Sequence, residues 1–526
     1  MRGKSVVREL PLVIGVALGW LTAWWLGHAF VLDDVTHGYG WHDYLNNAWM
    51  VVHRTHVGFN AFREPLHAWM LGQFGELVES YANGAILLSS TGVFLLVLGA
   101  GFTGRALGGV WCGALCAAAI PWAPNSSAMA TWANAYGVSG AFAGLAVGFA
   151  ALSFRRPRVS LLALAGASAG IAWGMDPRSL ALSAGAVVLG LLSLTVPKVA
   201  WWRRGLGVLV LGLGLSIGPR SHDALWLEPV NDPAWSDRVA FQKSVIARWT
   251  RKIAVTKQPC ADYRSMEPLE AAQGPCGAAI LSHNRDAIMP RHLPFGAPLT
   301  LLGLGLALLP GRQGWRGSLA GLSLWSGAAG LALLAVSTPM PDRYVVSFVF
   351  VLTVAAPIGL ARLVSTVLPR RVVPLGLAVA MIALGVWGWR VDPSERFMST
   401  SLTRSPRQTT AVEAARVVKG RLGADDLYLD CSEMFVSTAI LPRITQPPPP
   451  DIHLRNMDIC LRWIAKGAPP DRTRWVSVME EAPRERRSRG KDGRFKVEPV
   501  TVLKASPEWA LVDTVAEFQL WRRTSD

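Results

Sequence analysis

An α-helical polytopic membrane protein with about eleven spans, ending in a small extracytoplasmic α/β domain, is the architecture the sequence predicts. Three observations predict it. Of the 526 residues, 51% are hydrophobic and 17% charged, whereas a soluble chain carries about a quarter charged residues. The apolar residues are clustered: 84–101, 319–336 and 372–389 hold almost no charge, and each is about long enough to cross a ~30 Å hydrocarbon core as a helix. The basic residues behind the formal net charge of +16 are concentrated in short linkers on every second crossing.

The spans are read at Leu10–Val31, Gly84–Gly101, Leu107–Ile120, Gly137–Phe154, Leu161–Gly174, Leu180–Leu194, Leu206–Ile217, Ala297–Leu309, Leu319–Val336, Tyr344–Ala361 and Val372–Trp389. Arg2, Lys4 and Arg8 give the first run the look of a signal peptide. No small-residue cleavage site follows it and many similar runs do, so it is read as a retained helix. The linkers around Arg105, Arg155–Arg158, Lys198–Arg204, Arg312–Arg316 and Arg362–Arg371 contain no carboxylate, and the N-terminus contains only Glu9. That bias places them, and the N-terminus, in the cytoplasm. It also accounts for the basic charge without nucleic acid.

Residues 1–390 therefore form a transmembrane module and 391–526 an extracytoplasmic domain. Two more outer segments, 32–83 and 218–296, interrupt the module. In the first, Trp41, Leu45, Ala48, Trp49 and Val52 recur at helical spacing, as do Leu66, Trp69, Met70, Phe74 and Leu77. Tryptophan on such faces suits helices lying in the membrane interface. Pro65 suits the first turn of the second helix. The next outer segment has a basic helical stretch through Lys243, Arg248, Arg251 and Lys252. In the last, Thr410–Leu422 reads as a helix, Asp426–Asp430 and Trp475–Met479 as strands, and Ala510–Arg522 as a strand or hairpin. Gln446–Pro450 is a proline-rich loop and Glu481–Arg494 a charged one.

Cys260 with Cys276, and Cys431 with Cys460, each share an outer segment, where disulfides persist; these four are the disulfide candidates. Cys112 and Cys116 lie one turn apart within a span and read as buried small residues rather than a metal site. No paired CxxC, no HExxH, no P-loop and no GxGxxG in a strand-to-helix setting occurs, which argues against a nucleotide-driven pump.

Chemistry concentrates on the outer side. Asp33-Asp34 directly follows the first span. Adjacent carboxylates repel and lose solvation near an interface. They are either a solvated cap or a general base or divalent-metal ligand facing the membrane surface. Arg63-Glu64-Pro65-Leu66-His67 puts an arginine beside a helix start, which suits an anionic ligand or a local ion pair. Met340-Pro341-Asp342-Arg343-Tyr344 places an arginine at the outer end of the tenth span, against the charge bias, so phosphate binding is its attractive role. Arg291-His292 is similar, just before the eighth span. Asp176-Pro177-Arg178 reads as an ion-paired outer turn. A carboxylate and several arginines at one membrane surface fit a lipid phosphate substrate, with the arginines stabilising it as a leaving group.

The run Leu32-Asp33-Asp34, then Tyr44 and Ala48, then Arg63-Glu64-Pro65-Leu66 resembles the first outer loop of GT-C glycosyltransferases, the protein mannosyltransferase and lipid A aminoarabinose transferase-like families in particular. Asp342-Arg343-Tyr344, ahead of a span containing Pro357, is similar to their Arg-Tyr motif. Trp509–Val512 and Leu520–Arg523 resemble the end of their outer domains. The resemblance implies a GT-C-type fold and transfer of a sugar from a polyprenyl-phosphate donor to a glycan, lipid or protein acceptor. One of Asp33 and Asp34 would be the catalytic base. Arg343 would bind the donor phosphate, assisted by Tyr344, Arg63, Arg291 and His292. A divalent cation, Mg or Mn, would be held by Asp33 and Asp34 if one is used. The sequence departs from the pattern in having Asp34 for the commoner Glu, Glu64-Pro65 for Pro-Pro, and no carboxylate in 121–135. The competing class is a membrane transporter or a non-catalytic cell-envelope assembly protein, but a transporter calls for ionisable groups at mid-membrane depth. Abundant Gly, Ala and Arg fit a GC-rich bacterium and its plasma (inner) membrane.

The odd span count generates a test. A reporter that works only in the cytoplasm, fused after Asp526, is expected to be silent; a bright fusion makes the number of crossings even.

Overall fold

The computed structural model describes residues 3–30, 44, 47, 48, 51, 52, 64–78, 81–123, 135–196, 199–225, 244–257, 275–287, 296–310, 314–337, 346–367, 372, 376, 379, 413, 414, 417, 418, 420, 421, 427–430, 473–479, 499–516 and 518–524. Its helices are α1 (Gly3–Phe30), α2 (Pro65–Leu77), α3 (Tyr81–Gly108), α4 (Val110–Ala119), α5 (Ala135–Arg155), α6 (Val159–Met175), α7 (Leu180–Leu194), α8 (Trp201–Leu215), α9 (Ile217–Leu225), α10 (Val245–Lys257), α11 (Cys276–Ala287), α12 (Gly296–Ala307), α13 (Trp315–Ser337) and α14 (Val349–Val367). Single 3₁₀ turns lie at Ile120–Trp122, Pro177–Ser179 and Val346–Phe348.

Among the described residues, five segments are long and apolar enough to cross a membrane: Gly84–Gly108, Ala135–Arg155, Pro177–Leu194, Trp315–Ser337 and Val349–Thr366. Glu9–Trp25, Val110–Trp122 and Val159–Met175 are apolar but shorter. The first ten expected spans fall on helical segments. Val372–Trp389, apart from 372, 376 and 379, lies outside the described residues. The boundary expected at Leu107 moves, because α3 continues to Gly108. Gly109 then reverses the chain with φ 101°, a region costly for any residue with a Cβ.

The core is built largely from alanine, with Ala143, Ala146, Ala150, Ala151, Ala165, Ala169 and Ala172 fully buried. Helices in a bilayer gain no hydrophobic driving force from one another and associate through close packing of small residues. A Cβ on Gly99 of α3 would lie 2.6 Å from the backbone of Gly144 in α5, so this contact requires glycine. Buried Ser153 and Ser193 hydrogen-bond between α5 and α7 at 3.2 Å.

In the first outer segment Ala48 of the expected apolar face is buried and Val52 half-buried, and Tyr44, Asn47 and Val51 are buried beside them; Trp41, Leu45 and Trp49 lie outside the described residues. In α2 the buried side comprises Pro65, Leu66, His67, Ala68, Leu71, Gly72 and Gly75. Trp69 and Leu77 point outward, 39% and 75% exposed. Leu66 and Leu71 enter the core beside these small residues, and Met70 and Phe74 pack half-buried against it.

The C-terminal residues contain a four-stranded sheet, β1 (Leu427–Asp430), β2 (Thr473–Met479), β3 (Trp509–Val515) and β4 (Phe518–Arg523), in the order β1-β2-β4-β3. β1 runs parallel to β2 and the other pairs are antiparallel. The 510–522 segment is thus a hairpin, turned at Ala516 with φ 51°. Val476 pairs with Trp521, and both pack with Val500 and Leu503 of a helix the sequence did not suggest, α15 (Pro499–Ala505). On the other face Trp475, Phe518 and Leu520 pack with Ala414 and Val418, residues of the helix read at Thr410–Leu422. Helices cover both faces, so β4 is buried from Phe518 to Trp521.

One end of the helical bundle gathers the basic linkers. Arg155 Nη1 donates to the Arg105 carbonyl at 3.1 Å, and Arg316 Nη2 to that of Leu192 at 2.9 Å. Arg316 also lies over the Phe154 ring. Arg204 reaches the carbonyls of Val196 and Val199 at 3.1 and 3.0 Å. Arg362, buried, donates to Leu309 at 2.7 Å and also to Ala307. Most of these acceptors sit in or just past the last turns of helices, where carbonyls lack intrahelical donors and the helix dipole favours a cation. Glu9, the exception in the N-terminal charge pattern, forms a two-bonded ion pair with Arg105.

Replacing Arg362 with Met keeps the stem and removes the donors from two buried carbonyls, at an expected cost of about 1.5–3 kcal/mol. Arg421→Ala breaks an exposed pair with Asp513 and should stay within about 1 kcal/mol. Thermal unfolding of the purified proteins in detergent ranks the two; equal melting points would mean the carbonyls find other donors.

Candidate functional site

Asp33, Asp34, Arg63, Arg291, His292, Arg343, Tyr344, Cys260, Cys431 and Cys460 lie outside the described residues. Of the elements that precede or follow the candidate acid and phosphate-binding groups, those described share one end of the bundle. Helix α1 is tied to the basic end by the Glu9–Arg105 pair and runs on to Phe30. From Glu9 to Phe30 the helix rises about 32 Å, so its C-terminus lies at the opposite end of the bundle. Helix α12 has its C-terminal carbonyls held by Arg362 at the basic end. Its start at Gly296 therefore points the other way, with Arg291-His292 just before it.

The start of α2, two residues past Arg63, is fixed more directly. Pro65 occupies the first turn, as expected, with Glu64 at the N-cap in extended conformation. Leu66 packs with Tyr44, Ala48, Leu88, Ala135 and Met175, and its side chain abuts Gly174 at the end of α6. Buried His67 stacks edge-on against Tyr44, ring centres 5.1 Å apart. The His222 ring meets the Gly174 carbonyl at 3.3 Å. At the other end of α2, Tyr81 donates to Glu76. Burial, and then that acceptor carboxylate, hold the Tyr81 phenol well above its ordinary range.

The α6–α7 turn carries the expected Asp176-Pro177-Arg178 group. Asp176, 1% exposed, pairs with Arg178 Nε at 3.6 Å and accepts the Arg178 backbone N–H at 3.1 Å. This is the local ion pair the sequence suggested. Its surroundings were not legible. The Arg178 guanidinium lies over the Tyr136 ring, 4.6 Å from its centre, and the Tyr136 carbonyl accepts the Ser347 hydroxyl at 3.2 Å. Ser347 stands four residues beyond Arg343, in the 3₁₀ turn Val346–Phe348. The tyrosine's place right after an outer loop was the one available hint.

Cys276 is disulfide-bonded, as its outer position suggests; its candidate partner Cys260 is outside the described residues. Cys112 and Cys116 are buried free thiols, as expected, with sulfurs 4.0 Å apart. Among the described residues no three His, Cys, Asp or Glu side chains gather as metal ligands. Charged side chains of the bundle sit towards its two ends, and the end opposite the arginine caps carries the segments that lead into the candidate acid and phosphate-binding groups.

The described helices and the C-terminal sheet share their fold with solved structures of other proteins. ArnT from Cupriavidus metallidurans bound to undecaprenyl phosphate superposes on this protein with a TM-score of 0.57, at 13% identity, over 100% of this chain and 98% of that one. The apo state of the same protein gives 0.55 at 14% identity, over 99% and 98%. The archaeal oligosaccharyltransferase AglB from Archaeoglobus fulgidus, in complex with an inhibitory peptide and a dolichol-phosphate, gives 0.50 at 11% identity, over 89% of this chain and 69% of that one. At such identities the likeness is one of fold. No family model matches the sequence, and no curated protein matches it.

Proposed function

We propose that this chain is a glycosyltransferase that moves a sugar from a polyprenyl-phosphate donor to an acceptor at the outer face of the plasma membrane. The observation that carries the reading is the convergence just described: segments leading to Asp33, Arg63, Arg291 and Arg343 emerge together at the end opposite the arginine caps. It gains support from the fold, because ArnT was crystallised with undecaprenyl phosphate and AglB with a dolichol-phosphate. The topology belongs to the same proposal: eleven spans in residues 1–390, N-terminus in the cytoplasm, and residues 391–526 as an extracytoplasmic domain around the mixed sheet. The charge distribution speaks against transport, since a transporter places ionisable groups at mid-depth.

The chemistry follows from the groups. An acceptor hydroxyl attacks the anomeric carbon, and the bond from that carbon to the donor phosphate oxygen breaks. Asp33 or Asp34 takes the hydroxyl proton as general base. The electron pair leaves with polyprenyl phosphate, whose growing charge Arg343 stabilises, with Tyr344, Arg63, Arg291 and His292 around it. Arginine suits this role because its planar fork grips two phosphate oxygens at once. Asp33 and Asp34 are also the groups that would ligate a divalent cation, Mg or Mn, and activity before and after chelation tests that separately.

Two measurements test the reading. Asp33→Asn or Asp34→Asn is expected to lower turnover by about 10²–10⁴-fold with the melting point unchanged; wild-type rates in both would leave the pair a solvated cap. Arg343→Ala should weaken polyprenyl-phosphate binding about 10- to 150-fold, the equivalent of one charged hydrogen bond, and Arg343→Lys should lose less. If Arg343 is only the partner of Asp342, then Asp342→Ala and Arg343→Ala both lower stability and leave affinity alone.

A further inference from the structure

The Asp176–Arg178 turn has more order than a loop between two spans needs. Asp176 is buried, and its Oδ1 takes both the backbone N–H and the Nε side of Arg178. The Ser179 hydroxyl donates to the Asp176 carbonyl at 2.7 Å, closing the turn. The guanidinium so held is laid on Tyr136. Tyr136, in the first turn of α5, receives Ser347 on its carbonyl, and the Ser139 hydroxyl also donates to that carbonyl, at 3.0 Å. One turn further along α5, Gly140 leaves room for the Ser347 backbone: a Cβ there would stand 2.8 Å from the Ser347 carbonyl oxygen. The 3₁₀ turn Val346–Phe348 is thus pressed onto α5 by a hydrogen bond and by a close backbone contact, beside the arginine-capped ring.

We propose that Asp176, Arg178, Tyr136 and Ser347 form a positioning unit for the donor-phosphate site, setting the place of the Arg343-Tyr344 segment through the 3₁₀ turn that follows it. This rests on the assignment of Arg343 to the donor phosphate. Four residues of chain reach at most about 14 Å, so anchoring Ser347 confines Arg343 to a short arc at this end of the bundle. One functional consequence follows from that tether. A guanidinium must meet the phosphate oxygens in register to form a two-bonded contact, and an unanchored segment would meet them in many orientations.

A double-mutant cycle tests this with a synthetic polyprenyl phosphate as the probe, titrated against the purified full-length protein in detergent. Arg178→Met, which keeps the stem and loses the charge, is expected to raise Kd about 3- to 10-fold in the wild-type background and to change it little once Arg343 is Ala. Arg178→Lys should recover part of the loss, and Ser347→Ala should repeat the pattern if Arg178→Met does not fold. A purely structural role predicts the same proportional change in both backgrounds, and that result overturns the proposal. So does a wild-type Kd in both Arg178→Met and Ser347→Ala alongside a weakened Arg343→Ala. A wild-type Kd in Arg343→Ala itself would instead remove the phosphate assignment, and this unit's role with it.

Discussion

A bilayer interior offers a helix end no water, so the last carbonyls of every span must reach a headgroup or find a donor in the protein. This chain supplies donors from arginine. Arg155, Arg204, Arg316 and Arg362 all reach carbonyls at or beyond the ends of neighbouring helices, and Arg105 holds Glu9. Each linker is thus tied to the end of an adjacent helix. The same basic residues that stand out in the sequence register the helices against one another in the structure. With α1 and α12 fixed at that end, their lengths decide where their other ends emerge.

The opposite end has a different physical character. There the polar groups are not spread over helix termini but drawn into a layered contact: α2 against α6 and α3, the Asp176 turn against α5, and the 3₁₀ turn before α14 against α5 again. A buried carboxylate such as Asp176 costs free energy unless it is paired and hydrogen-bonded. Its arginine meets an aromatic face as well, a contact worth about 0.5–2 kcal/mol. Order of this kind in a loop layer suits a surface that must present groups in fixed geometry to a ligand lying in the membrane plane.

How far the sequence could be read follows from what a membrane does to patterns. The positions of the apolar helices were legible, because runs such as 180–194 hold no charge, and α7 occupies those residues. The β3–β4 hairpin was legible from alternation. Which side of α2 meets the bundle was less legible. Apolar spacing marked Leu66, Trp69, Met70, Phe74 and Leu77 alike, yet Leu66 is buried and Trp69 and Leu77 are exposed. Next to lipid, apolar residues are at home on either side, so small residues such as Ala68, Gly72 and Gly75 add a signal for the protein-facing side that apolar spacing lacks.

The candidate site was legible in a complementary way. Arg343 stood out because its charge violated the sidedness of the rest, and Asp33-Asp34 because two carboxylates followed a span. Tyr136 and Ser347 gave no such signal: one is an aromatic residue at a span start, the other a serine in an apolar context. They matter through what they touch, over sequence separations of 42 and 211 residues for the Arg178 and Ser347 contacts to Tyr136, and spacing rules carry no information at that range. Asp176-Arg178 lies between the two cases. Its local ion pair follows from two charges flanking a proline, but its link through Tyr136 to the Val346–Phe348 turn exists only because α5 brings both to one helix end. Candidate groups can therefore be nominated from residue type alone, while the contacts that surround such a loop layer become visible only once helix packing is known.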